Sequence, residues 1–385
     1  MELEPTIAAK LASGVYSVNS GNNIELRAFL KRKPFSSAQA PTKLTAEIGG
    51  RIFRSCKDAF GVCAVGGGEH EGDAFLVFRG TTTANNKADF VTDARIGITL
   101  SKAGLPVHIG FNHAFNSMLP DIKQFLSSNK IMGQVHCIGH SLGGAVASLA
   151  ADWVKRNTAH PVKLYTFGAP RVGTEWFATS TSSTLGQSNI HRTYHKTDPV
   201  PMVALYPFMH APVQRQGHYI PSAQPLTSGD AHRMLNYRKS VEGKSWAQLN
   251  ETPEEPYTVQ VFVEQWLRSK SPVDPHSASF WRWLESAVIY VLKKIAMGLA
   301  LSLQATFMGG LTLADKIAWI LAKGIDLSEH ISDWVEHLMR KMMQALGMQV
   351  ASGKKALTQR LMRQVLQKIM EKAHREARNA LRKNN

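Results

Sequence analysis

The sequence predicts an α/β fold: a central mixed, mainly parallel sheet covered by helices, followed by an all-helical C-terminal region. Over residues 1–250, short β-rich runs alternate with helical ones, the pattern of strands linked by helices. Beyond the acidic stretch 251–256, which holds two prolines, the spacing is helical alone, so the chain divides into 1–250 and 251–385. Length agrees: 385 residues exceed one ordinary core and suit a large domain with an appendage. With 44% hydrophobic and 19% charged residues, the composition is that of a folded chain rather than a disordered one.

In chain order, a helix at 5–16 precedes strands at 51–56, 60–65 and 74–78, short runs carrying β-branched or aromatic residues. A helix at 111–126 follows, then a strand at 134–138, a helix at 144–156, strands at 162–167 and 190–194, and a helix at 231–241. In the second region, 280–322 is apolar, most continuously over 287–322. Residues 331–346 are amphipathic, and 357–382 are amphipathic and basic within a tail spanning 354–383. The run 295–314 has 20 residues without a charge, long enough to cross a bilayer. Gln304, Ser302, Thr306, Thr312 and the pair Gly309–Gly310 interrupt it, so a buried helix or helical hairpin is favoured over a membrane-inserting segment. Both remain open.

The formal net charge of +16 is unevenly spread: residues 340–385 hold 12 Lys/Arg against 2 Asp/Glu. Such a tail suits phosphates on a lipid surface or a nucleic acid. It lacks Tyr, Trp and Phe for base stacking, which disfavours nucleic acid. Its stripe of Leu357, Leu361, Val365 and Ile369, flanked by Arg360, Arg363, Lys368, Lys372 and Arg375, fits a membrane-surface helix or a packed helix with a basic outer face equally well. The start, Met-Glu-Leu-Glu-Pro, has neither a positive nor an apolar signal region, so no cleaved secretory signal is expected. Cys56, Cys63 and Cys137 do not suggest a disulfide framework; a Cys56–Cys63 link across a hairpin is the weaker reading beside reduced, partly buried thiols.

The most informative stretch is Val135-His136-Cys137-Ile138-Gly139-His140-Ser141-Leu142-Gly143-Gly144-Ala145. An apolar strand runs through Gly-x-Ser-x-Gly into a helix of small residues, the context of a nucleophile elbow. Gly139 and Gly143 stand where a side chain would clash. Ser141 is then presented at a helix N-terminus, where peptide dipoles favour a developing oxyanion.

Several motifs in order resemble the class 3 lipases, the group that includes the fungal triacylglycerol lipases. They are Phe78-Arg79-Gly80-Thr81, Gly110-Phe111, the elbow Gly139 to Gly144, Phe167 to Gly173, Thr197-Asp198-Pro199-Val200-Pro201, and His232 followed by Tyr237. The resemblance covers roughly residues 8–245 and implies an α/β-hydrolase with Ser141 as nucleophile and no cofactor. It also implies an oxyanion hole of Thr81 and the backbone N–H of Leu142. Asp198, following a strand and preceding Pro199, is expected to be the triad acid; Asp152 and Glu175 read as solvated charges. The order Ser, Asp, His leaves His210, His218 and His232, and the last best matches the family's closing histidine, with His218 as the main alternative. His140 reads as a packing residue that hydrogen-bonds locally. No metal is called for, and His330 and His337, seven apart beside acids, read as surface positions. Residues 82–107 fall where the family carries its lid, with Phe90, Ile96, Ile98 and Leu100 as an apolar face; a plain surface loop is the alternative.

The resemblance thus implies a serine-dependent lipase or phospholipase acting at a membrane through its C-terminal helical region. The C-terminal 135 residues depart from the family, and their membrane-seeking character suggests an effector delivered into competing cells. Such an enzyme would be cytoplasmic at synthesis, exported without a signal, membrane-associated in action, and matched by an inhibitory partner protein. A soluble carboxylesterase and a non-catalytic hydrolase-fold scaffold remain as alternatives. The acyl position cut and the oligomeric state are not legible in the sequence.

Overall fold

The computed structural model describes residues 1–18, 23–31, 34–35, 41–48, 56–80, 97–213, 217–303, 312–351 and 353–382. The chain opens with α1 (Pro5–Gly14), which has proline at its start where no intrahelical N–H is needed, and continues to α2 (Asn23–Leu30). Strands β1 (Thr42–Ile48), β2 (Cys56–Val65) and β3 (Ala74–Phe78) form an antiparallel set. After β4 (Ile98–Leu100), β5 (Pro106–His108) and α3 (Ile109–Ser128) come β6 (Val135–His140) and α4 (Leu142–Asn157). There follow β7 (Val162–Phe167), β8 (Gly173–Thr174), α5 (Glu175–Leu185), β9 (Ile190–His195), β10 (Phe208–Met209) and β11 (His218–Ile220).

The main sheet has seven strands in the order β1-β2-β3-β6-β7-β9-β11, parallel from β3 onward. It is an α/β-hydrolase sheet: mixed, mainly parallel, with its antiparallel strands at one edge. Every residue of β3, β6 and β9 is buried, the mark of strands covered on both faces. A smaller sheet in the order β10-β8-β5-β4 lies apart from it.

The expected strand at 51–56 falls, apart from Cys56, outside the described residues. Cys56 begins the longer β2, which pairs with β1. Cys56 and Cys63 therefore share one strand and cannot face each other across a hairpin; Cys63 and Cys137 are buried and free. The alternation Leu44, Ala46, Ile48 marks β1, but a bulge between Leu44 and Thr45 interrupts its register. The expected helix at 231–241 is split into α6 (Gly229–His232) and α7 (Met234–Val241), because Arg233 is extended (φ −62°, ψ 129°).

Beyond residue 256 the chain is helical, with α8 (Gln260–Arg268), α9 (Ala278–Gly298), α10 (Leu313–Ile325), α11 (Glu329–Ala345) and α12 (Gln359–Arg382). The uncharged run at 295–314 is not one helix. It ends α9 at Gly298, passes Ala300 at φ 51°, and resumes at α10, whose first turn is capped by Thr312 Oγ1 accepting Asp315 N–H at 3.3 Å. Residues 304–311 lie outside the described set, and no helix among the described residues is long and apolar enough to cross a membrane.

These helices share one hydrophobic core with the sheet: Leu284, Val291 and Ile295 of α9 and Val365 and Ile369 of α12 belong to the same cluster as Leu76 and Cys137. In and just before α12 the expected apolar stripe is the buried face: Leu357, Val365 and Ile369 are buried and Leu361 is half-buried. Met362, Val365, Leu366, Ile369, Met370, Ala373 and Ala377 are buried, while Arg360, Arg363, Lys368 and Arg375 face outward. The helix packs on α10, on α6 and on the turn Val200–Met202.

A buried ion pair joins the two parts. Arg171 donates to the Ala204 carbonyl at 2.8 Å and pairs with Glu285 of α9. Burial pushes the Glu285 carboxyl up and the Arg171 guanidinium down, so desolvation outweighs their attraction in both. Glu285→Ala leaves a buried cation without its partner and is expected to cost about 3–5 kcal/mol, read by urea unfolding.

Candidate active site

The strand-to-helix turn between β6 and α4 holds Ser141 at φ 57° and ψ −130°, a backbone conformation that a side chain rarely tolerates. The turn is as tight as the glycines imply. A Cβ on Gly139 would lie 2.2 Å from the Gly143 carbonyl oxygen, and one on Gly143 would lie 2.4 Å from that of Phe78. Leu142 opens α4, so its N–H belongs to the first turn, which has no intrahelical acceptor.

His232 Nε2 lies 2.9 Å from Ser141 Oγ, and His232 Nδ1 lies 2.8 Å from Asp198 Oδ2. At these distances the imidazole can donate from Nδ1 to the carboxylate and accept the serine hydroxyl proton at Nε2. Asp198 sits just past the end of β9, and its Oδ1 accepts the N–H of Val200 at 2.9 Å. Its Oδ2 also accepts the Tyr237 hydroxyl at 2.7 Å. Ser141 is 2% exposed and both partners are wholly buried, so their mutual attraction is little screened by water.

The other histidines lie elsewhere. His218 Nε2 is 3.2 Å from His191 Nδ1, and its ring stacks on His191 with Trp246 beside it. His210 donates to the Pro201 carbonyl at 2.8 Å. Asp152 is not a solvated charge: it is buried, accepting Arg156 Nε at 3.0 Å and Thr181 Oγ1 at 2.9 Å. Glu175 is part-exposed, 3.7 Å from Lys293. His330 accepts the Trp334 indole N–H at 3.2 Å, and His337 lies against the same ring. Thr81 and residues 82–96 of the expected lid lie outside the described set. The remainder is not an apolar lid face: Ile98 and Leu100 form β4, paired with β5 in the smaller sheet.

His140 does more than bond locally. Its Nε2–H donates to the carbonyl of His232, 92 residues away, at 2.8 Å, and its Nδ1 accepts the Tyr16 hydroxyl at 2.7 Å. That hydroxyl in turn accepts the N–H of Gly80 at 2.9 Å. Burial, followed by the nearby His232, holds the His140 imidazole well below its usual pKa, keeping it neutral. His195 acts in parallel, donating from Nδ1 to the Ala231 carbonyl at 2.5 Å while its ring stacks on Tyr237. Two imidazoles thus hold the peptide carbonyls on either side of the His232 Cα. Sequence reasoning missed Tyr16 and His195, since neither lies in a motif; only the fold brings them here.

Tyr237 both donates to Asp198 and accepts the His195 N–H at 3.1 Å. Tyr237→Phe leaves both groups short of a buried partner and is expected to lower stability by about 1–3 kcal/mol in chemical denaturation.

With this geometry in place, comparison with known proteins points to the same family that the motifs resemble. The profile of lipase (class 3) matches residues 75–208, which span β3, the elbow and Asp198. This portion of the chain, about a third of its length, is similar to the class 3 lipase family. A secreted mono- and diacylglycerol lipase 1 of Fusarium solani is 39% identical over 102 residues, covering 26% of this chain and 30% of that protein. Toxin TseL of Vibrio cholerae is 43% identical over 75 residues, covering 19% of this chain and 12% of that protein. The chain spans less than half the length of the curated relatives it matches. Among solved structures, the Lip2 lipase of Yarrowia lipolytica is 26% identical, with a TM-score of 0.41 over 57% of this chain and 79% of that one.

Proposed function

We propose that this chain is a serine-dependent carboxylic ester hydrolase of the class 3 lipase kind, acting on lipids at a membrane surface as a phospholipase or triacylglycerol lipase. The reading rests on the unbroken hydrogen-bonded chain from Ser141 Oγ through His232 to Asp198 at the elbow. His232 takes the hydroxyl proton as Ser141 Oγ attacks the ester carbonyl carbon. Asp198 orients the imidazole and stabilises the imidazolium. The backbone N–H of Leu142, together with Thr81, receives the oxyanion; one such donor is worth about 2.7–4 kcal/mol in the transition state. The ester C–O bond then breaks, His232 returns its proton to the alcohol, and water hydrolyses the acyl-enzyme by the reverse proton path.

The substrate class is supported by relatives named as lipases. Attachment to a membrane is supported by the outward Arg360, Arg363, Lys368 and Arg375, each worth about 1 kcal/mol near an anionic leaflet. The likeness to a protein named as a toxin favours an effector role. Lipid mass spectrometry after incubation with mixed phospholipid and neutral-lipid vesicles tests the chemistry, with Ser141→Ala as control. Free fatty acid released by the parent and not by the variant is expected; equal release by both removes Ser141 from the reaction. Toxicity in cells that carry the chain in the periplasm or the cytoplasm tests the effector role, and harmlessness in both overturns it.

A further inference from the structure

Far from Ser141, three side chains converge at the other end of the parallel strands. His70 closes the turn Gly68–His70, Asp73 immediately precedes β3, and His136 is the second residue of β6. Parallel pairing of Ala74 with Val135 starts both strands side by side, which brings the three together. His70 Nδ1 lies 3.0 Å and His136 Nε2 3.1 Å from Asp73 Oδ2, and the three donor atoms all lie within 4.8 Å of one another. Exposure is 6% for His70, 4% for Asp73 and 0% for His136.

The carboxylate is fixed from behind. Its Oδ1 accepts the N–H of Gln134 at 2.7 Å, and a Cβ on Gly133 would fall 2.1 Å from that oxygen, so the backbone closes around it. Phe75 walls the imidazoles, stacked on His136 at 4.8 Å and edge-on to His70 at 5.8 Å. Burial alone would raise the Asp73 carboxyl, but hydrogen bonds from His136, His70 and the Gln134 N–H hold it well below the usual range. Burial keeps His136 neutral in turn.

The plainest account is a carboxylate accepting an N–H from each imidazole, with the Met1 amino group 3.8 Å away. One feature points further. Both nitrogens address one oxygen although a carboxylate offers about four lone-pair directions, so the two imidazoles and Oδ2 converge on one small volume.

We propose that His70 Nδ1, Asp73 Oδ2 and His136 Nε2 form a binding site for a divalent transition metal of the zinc class. Two imidazoles and one carboxylate suit zinc and not calcium or magnesium, which take oxygen ligands. Zinc bonds of about 2.0–2.2 Å place tetrahedral ligands about 3.3–3.6 Å apart; the two nitrogen–oxygen spacings are 3.0 and 3.1 Å and all three donor atoms lie within 4.8 Å, so small side-chain shifts would admit the ion and leave a fourth position for solvent. The Tyr165 hydroxyl, 3.5 Å from His136 Nδ1, stands where the outer hydrogen-bond partner of a ligating imidazole belongs. His136 and Ser141 are five residues apart along β6, about 16 Å at strand rise, so the metal joins the turn to two strand starts and takes no part at the serine.

The test is independent of any hydrolase activity. Protein stripped with chelator is incubated with Zn²⁺, dialysed and assayed for metal, with its thermal unfolding followed. One equivalent retained per chain, with a Tm that rises with free Zn²⁺, is expected; retention falls below a tenth of that in Asp73→Asn and His136→Gln. No retention by the parent protein overturns the site and leaves the hydrogen-bonded account. Retention undiminished in the variants puts the metal elsewhere and also overturns it. Should those variants not unfold cooperatively, His70→Gln on the turn and X-ray absorption of the zinc-loaded parent decide: two imidazoles in the coordination shell support the site, and fewer overturn it.

Discussion

Ser141→Ala is expected to lose ester hydrolysis by a factor on the order of 10⁴–10⁶ while keeping the parent's unfolding curve. The acyl-enzyme needs a nucleophilic oxygen at this point, and the turn between β6 and α4 presents one hydroxyl, 2.9 Å from an imidazole. Alanine keeps the Cβ that the φ of 57° already accommodates, so the fold has little reason to change. The measurement is kcat/KM on a soluble short-chain ester together with labelling by a fluorophosphonate probe. Labelling of the alanine variant to the parent's extent would place the nucleophile elsewhere.

The second large effect separates the histidines. His232→Ala is expected to reduce kcat by about 10⁴-fold or more, because Ser141 then has no base to take its proton. His218→Ala is expected to leave kcat within a few-fold while lowering stability, since His218 meets His191 and Trp246 and neither Ser141 nor Asp198. The paired assay is kcat against the urea midpoint for each variant. A kcat loss in His218→Ala as large as in His232→Ala would overturn the assignment of the base.

The parts of the fold that showed in the sequence were those written in local pattern. Strands β3, β6, β7 and β9 are short apolar runs bounded by turns, and α3 and α4 carry clear helical spacing, so each lies within a few residues of its expected place. The elbow was legible because its geometry demands small residues at fixed spacing. What escaped notice depends on partners distant in the chain. β1 is marked only by a weak alternation with a bulge, and the break at Arg233 is a backbone choice that the residue type does not require. Asp152 reads as a solvated acid on an amphipathic helix until α5 brings Thr181 against it. His140 sits in the elbow motif, yet its partners, Tyr16 and the His232 carbonyl, come from opposite ends of the domain.

The paired grip of His140 and His195 on the peptide carbonyls flanking the proposed base has a kinetic meaning. A histidine on an untethered loop would have to search for its alignment with the serine before every turnover. Here that search is completed when the chain folds, so under the proposed mechanism the imidazole is already aimed at Ser141 before an ester arrives.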